Sequence, residues 1–215
     1  MIYIDIVNNV LRRLRESEVQ TIAQTSYSKL IGDFVNDAKT IVDSAWRWSQ
    51  YRVEIAFNTT NTVATYSLTN SGINPVVVNA LNDTNNIFLE YKSPTWFEQQ
   101  TKLQDIVYGV PAYYTFAGED GGGDVIVKVY PVPDAAYALV FNVIKDPVDL
   151  AIETSNLAIP HQPVIQLAFA MALRERGETG GQSAAEQFGV AEAFLSDAIA
   201  LDAAKNPEEL IWKTV

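Results

Sequence analysis

His161 is the only histidine in the 215-residue chain, and it lies between two prolines in Ile159-Pro160-His161-Gln162-Pro163. A histidine in a mouth-like loop could serve as general base or metal ligand. A metal site here would have to be completed by carboxylates alone, because the chain has no cysteine. A Ser-His-Asp arrangement would need partners that no local motif announces. The first turn of an apolar helix is the simpler setting, and there His161 caps or packs. Gly118-Glu119-Asp120-Gly121-Gly122-Gly123-Asp124 offers oxygen ligands for calcium, yet its spacing matches no defined calcium loop. Gly177-Glu178-Thr179-Gly180-Gly181-Gln182-Ser183 lacks the lysine of a phosphate cradle. The chain contains no Gly-x-Ser-x-Gly elbow and no His-Glu-x-x-His pair. Nothing singles out a pair of acids for glycoside hydrolysis. The sequence therefore assigns no catalytic, cofactor-binding or metal-binding residue, and the expected protein is not an enzyme.

Composition points the same way. Hydrophobic residues make up 48% and aromatics 11%, enough to build a core in a soluble, folded chain. Absence of cysteine excludes disulfides and suits assembly in a reducing host cytoplasm. The net charge of −11 repels polyanions, so contact with DNA is expected to be non-adhesive. The first residues, MIYIDIVNNVLRRLRE, have neither the basic leader nor the small-residue cleavage site of a signal peptide. Val164 to Leu173 is the longest near-apolar run and is half the length needed to span a bilayer, so no membrane helix is expected.

The elements that would hold any site follow from periodicity. Ile2, Ile6, Val10 and Leu14 predict a helix over about 2–15, with Arg12, Arg13 and Arg15 at its dipole's negative end. Leu30, Phe34, Ala38, Ile41 and Ala45, flanked by Ile31, Val35 and Val42, predict a second over about 26–46. Trp46 and Trp48 then shift the spacing to two, which predicts the start of a strand. From Tyr51 to about Ile144, short β-branched and aromatic segments between Asn, Asp, Gly and Pro clusters predict six or seven strands. Ser93-Pro94 predicts one helix among them, with Trp96, Phe97 and Leu103 covering the sheet. Residues 118–124 read as a mobile glycine-rich hairpin loop. Pro160 and Pro163 open a helix that is apolar nearly all round except for Gln166. A final helix carries Ala184, Phe188, Ala191, Leu195 and Ala198 on one face. The expected fold is α+β: a discontinuous four-helix bundle, 1–48 plus 158–206, with an antiparallel sandwich or barrel-like β domain inserted at 49–157 and a tail at 207–215.

In that order the segments resemble a known family. "IVNNVLRRL", "AWRWSQYRVEIAF", "GVPAYYTFAG", "VIVKVYPVPDAAYALVFNVIKDPVDL" and "IPHQPVIQLAFAMAL" are similar to the head-to-tail adaptors of short-tailed bacteriophages, the tail tubular protein A family. The most specific pieces are Gly109-x-Pro111-x-x-Tyr114, Tyr130-Pro131-x-Pro133-Asp134 with Tyr137, and Ile159-Pro160-His161. The resemblance implies a structural virion protein at the head-tail junction. It would form a dodecameric ring that joins the portal protein to the tail nozzle protein, with a tail fibre as a further partner, and encloses the channel through which DNA leaves. It further implies that the bundle forms the ring wall, that the C-terminal tail docks on the portal, and that the β domain faces the tail.

Two sets of contact residues are expected on this basis. Leu210, Ile211, Trp212 and Val215 form an apolar-aromatic anchor for the portal. Asp120, Gly121, Gly122 and Gly123 form a tail-facing loop tip. A polysaccharide-binding or polysaccharide-degrading module is the alternative, motivated by Trp96, Tyr108, Tyr113 and Tyr114. Such a module would present an exposed planar row of aromatic rings.

Overall fold

The computed structural model describes residues 1–177 and 182–205, with two units: Met1–Gln50 with Val148–Val215, and Tyr51–Pro147. The sequence reading runs the insert from 49 to 157, whereas residues 148–157 lie with the helices. Leu150 and Leu157 are buried there; the Leu150 amide donates to Asn36 Oδ1 and the Leu157 amide to the Met1 carbonyl.

In the helical unit, α1 (Tyr3–Arg13), α2 (Ser26–Ala45), α4 (His161–Glu175) and α5 (Gln182–Ala203) pack around α4, which meets all three of the others. Apolar residues on most sides of α4 explain that central position. Gln166 is its polar exception, and its Oε1 accepts from Arg13 Nη1 and Gln187 Nε2, both at 2.7 Å. Its acceptor is therefore satisfied between α1, α4 and α5. Thr25 and Ser28 form a reciprocal capping box that starts α2.

The buried face of α2 follows the Ile31, Val35 and Val42 flank of the stripe read in the sequence. Ser28, Ile31, Gly32, Val35, Ala38, Lys39 and Val42 face inward, while Ile41 and Ala45 are exposed. Gly32 lies on this face. A Cβ there would lie 2.8 Å from both Ile22 Cγ2 and the Tyr3 hydroxyl, so only glycine admits this approach. Lys39 is buried because its Nζ sits 2.6 Å from Asp43 Oδ2, one turn away.

No strand begins at Trp46. Trp48 is fully buried and donates through Nε1 to the Val42 carbonyl at 2.9 Å, and residues 49–51 form a 3-10 turn. Burying an indole with its N–H satisfied outweighs the two-residue spacing as a guide to conformation.

The β unit contains eight strands: β1 (Arg52–Asn58), β2 (Thr65–Ser67), β3 (Val76–Asn82), β4 (Ile87–Phe88), β5 (Glu90–Tyr91), β6 (Tyr113–Glu119), β7 (Val125–Tyr130) and β8 (Ala138–Ile144). They form two open four-stranded sheets, ordered β1-β8-β3-β4 and β2-β7-β6-β5. All pairs are antiparallel except β5 with β6. Both sheets contribute to one core: Ala80, Leu139, Phe141 and Val143 from the first, Tyr114, Val125, Val127 and Val129 from the second. This is a sandwich rather than a closed barrel.

The extra strand comes from "NIFLEY", which reads as a single strand. Ile87–Phe88 pairs with β3, the backbone crosses at buried Leu89, and Glu90–Tyr91 pairs with β6 in the other sheet. The short helix α3 (Pro94–Lys102) starts as expected, with Ser93 Oγ accepting from the Trp96 amide. Phe97 is buried and Trp96 packs edge-on to Tyr113 and Tyr130, but Leu103, just past the helix, is 79% exposed.

Candidate interaction surfaces

The glycine-rich loop is tied down. Asp120 Oδ1 accepts from the Gly122 amide at 2.8 Å and the Asp124 amide at 3.0 Å, and Oδ2 accepts from the Ser67 hydroxyl. Asp124 in turn accepts from the Asn70 and Gly72 amides, both at 3.0 Å. Glycine supplies positive φ at Gly118 (+110°) and Gly123 (+85°), while the two aspartates replace free backbone with an Asx-type lattice.

The same hydrogen bonds place the loop in the sandwich. Ser71 accepts through its carbonyl from the Asp146 amide and through its hydroxyl from the Val125 amide. Residues 120–124 therefore lie at the end where the chain enters the β unit near Tyr51 and leaves near Pro147. A cleft of about 450 Å³ lies in this region, lined by Ile73, Pro75, Phe116, Glu119 and Val125 among others.

Donation by Ser67, then by the Asp124 and Gly122 amides, holds the Asp120 carboxyl below its ordinary pKa. A lowered carboxyl pKa means that the network is complete above the ordinary carboxylate range and is lost as pH falls through the lowered value. Asp120→Ala is expected to speed hydrogen exchange at the Gly122 and Asp124 amides at neutral pH. Unchanged protection at both amides in an NMR exchange series would contradict this role.

Asp120 and Asp124 accept from backbone amides and from the Ser67 hydroxyl, and among the described residues no group of three histidine, cysteine, aspartate or glutamate side chains is arranged to hold a metal ion. His161 does not cap the helix. It is the exposed first residue of α4, and the capping position belongs to Pro160, which has no side-chain donor or acceptor.

Trp96, Tyr108, Tyr113 and Tyr114 do not form an exposed planar row. Tyr114 is buried, Trp96 meets Tyr113 at 62° and Tyr130 at 85°, and Tyr108 is exposed. Edge-to-face packing of this kind fills a core and offers no planar platform to a sugar. Tyr3 has a pKa pushed up to about 12 by burial first and by Asp33, Asp149 and Glu153 second. It is therefore a neutral phenol that accepts from Asn36 Nδ2 at 3.3 Å.

Two apolar surfaces escaped the periodicity reading. One is a second stripe on α5, where Val190, Phe194 and Leu201 are exposed beside the Ala184, Ala191 and Ala198 face. The mean apolarity of this helix hides two faces, one covered and one open. The other lies at the far end of the sandwich, at Val63, Ile106, Val107 and Tyr108. The expected portal anchor, Leu210, Ile211, Trp212 and Val215, lies outside the described residues.

The model of the SU10 adaptor protein family matches residues 1–209. The chain belongs to that family. No curated protein matches it at a significant level. An SU10 adaptor is a structural protein of a bacteriophage particle at the head-tail junction, as the resemblance to head-to-tail adaptors implies. Among the described residues of this adaptor no helix is long and apolar enough to cross a membrane.

Proposed function

We propose that this adaptor forms a closed homo-oligomeric ring, dodecameric by its resemblance to tail tubular protein A, which joins the portal to the tail nozzle and encloses the DNA exit channel. The observation that carries the reading is the family match over 1–209, nearly the whole chain. The exposed Val190, Phe194 and Leu201 stripe supports it, because a ring wall needs an apolar side face for the neighbouring copy. A net charge of −11 lets DNA pass with little adhesion through a channel lined by such a protein. The tail residues Leu210, Ile211, Trp212 and Val215 dock on the portal, and the β unit faces the nozzle and a tail fibre.

The test is the mass of the protein alone and with its portal, by native mass spectrometry, for the full chain and for a chain ending at Asn206. A large closed complex that forms with the full chain, and whose affinity falls at least about tenfold without residues 207–215, is the expected result. Absence of any portal complex with the full chain would overturn the reading.

A further inference from the structure

We propose that the far end of the sandwich, opposite the chain's point of arrival and departure, docks a tail protein whose contact face is apolar and edged by lysine or arginine. This rests on the adaptor reading and adds to it the surface and the chemistry of the partner.

Backbone hydrogen bonds align three segments at this end. The Thr62 amide donates to the Pro133 carbonyl, the Val132 amide to Val107, and the Gly109 amide to Val132. Val63, Ile106, Val107 and Tyr108, all exposed, are thereby brought close together at this end, and Tyr108 is 55% exposed. Exposed apolar side chains gathered on an ordered surface mark a contact site.

The surface is held in shape before any partner arrives. Thr59 Oγ1 donates to the Ala135 carbonyl and accepts from the Tyr137 amide. The Tyr66 hydroxyl donates to the Val63 carbonyl at 2.6 Å, and the Asn82 amide group reaches the Pro111 carbonyl. Little ordering entropy is left for binding to spend.

Charge selects the partner. Residues 59–64, 82–86, 105–112 and 131–137 contain Asp83, Asp105 and Asp134, all exposed, and no lysine or arginine. A second copy of the same face would set these carboxylates against each other. A face with cations at its margin pairs with them, which favours a different protein over self-association.

The experiment places a photoreactive amino acid at Val107, at Tyr108 and, for comparison, at Gly122 of the adaptor in assembled phage. Cross-links from 107 or 108 to another tail protein, in peptides containing apolar residues and Lys or Arg, are expected. Asp105→Lys with Asp134→Lys should weaken capture of purified tail complexes about tenfold while leaving the portal complex intact. Cross-links from 122 alone, cross-links from 108 to a second adaptor copy, or unchanged tail capture by the double variant would overturn the inference and leave the adaptor reading standing. Failure of the unaltered adaptor to bind either portal or tail would overturn both.

Discussion

Phe141→Ala is expected to destabilise the β unit by about 4 kcal/mol, the usual cost of removing a buried aromatic ring. Phe141 sits on β8, the strand between β1 and β3, and is fully buried. Its ring lies 5.9 Å from Phe57 in near-parallel stacking and 5.4 Å from Tyr114 at 87°. One side chain thus joins the two sheets. Alanine would leave a cavity that a sandwich cannot close, since its sheets are spaced by many other pairs. Phe141→Leu should recover most of the loss, leaving a cost of about 1.5 kcal/mol. Urea unfolding followed by near-ultraviolet circular dichroism measures both. A loss below about 1 kcal/mol for alanine would show that the sheets do not depend on this contact.

Asp202→Ala is the second large effect, about 3 kcal/mol, and it falls on the helical unit. Asp202 is buried near the C-terminal end of α5, where it accepts four hydrogen bonds. They come from Trp46 Nε1 at 3.1 Å, the Ser49 amide at 2.9 Å, the Ser49 hydroxyl at 2.6 Å and Lys205 Nζ at 3.1 Å. Alanine strands the first three donors, which partial access to water only partly offsets.

The pH dependence follows with a definite sign. Burial alone would raise the Asp202 carboxyl pKa; donation by the Ser49 hydroxyl and amide and by Lys205 outweighs it and lowers the value. The stabilisation is therefore complete above the unfolded carboxylate range and disappears as pH falls through the lowered folded value. Asp202→Asn should flatten the acid limb of the stability curve in chemical denaturation. An unchanged acid limb would assign that limb to other carboxylates.

Helix positions and most strand positions are legible in this sequence because each carries its own period. Ile6, Val10 and Leu14 fall on the buried side of α1, and "RVEIAFN" becomes β1 residue for residue. Those signals are local and survive without knowledge of the neighbours. The family resemblance is legible for a related reason, since it rests on an ordered series of such segments.

What failed depended on contacts between segments distant in sequence. Along α2 the sequence names Ile31, Val35 and Val42 only as flanks, and the exposure of Ile41 and Ala45 and the close approach of Gly32 to Ile22 and Tyr3 carry no period. The division of Ile87–Tyr91 between two sheets turns on which edge each half reaches, a fact with no period. Asp120 and Asp124 look like part of a mobile loop until Ser67, Asn70 and Gly72 donate to their carboxylates. The sequence by itself determined the helices, the strands, the acidic charge and the absence of a catalytic motif, because these are properties of residues and their near neighbours. Only the tertiary structure decided which apolar faces stay open, since exposure is what remains after every long-range partner has taken its place.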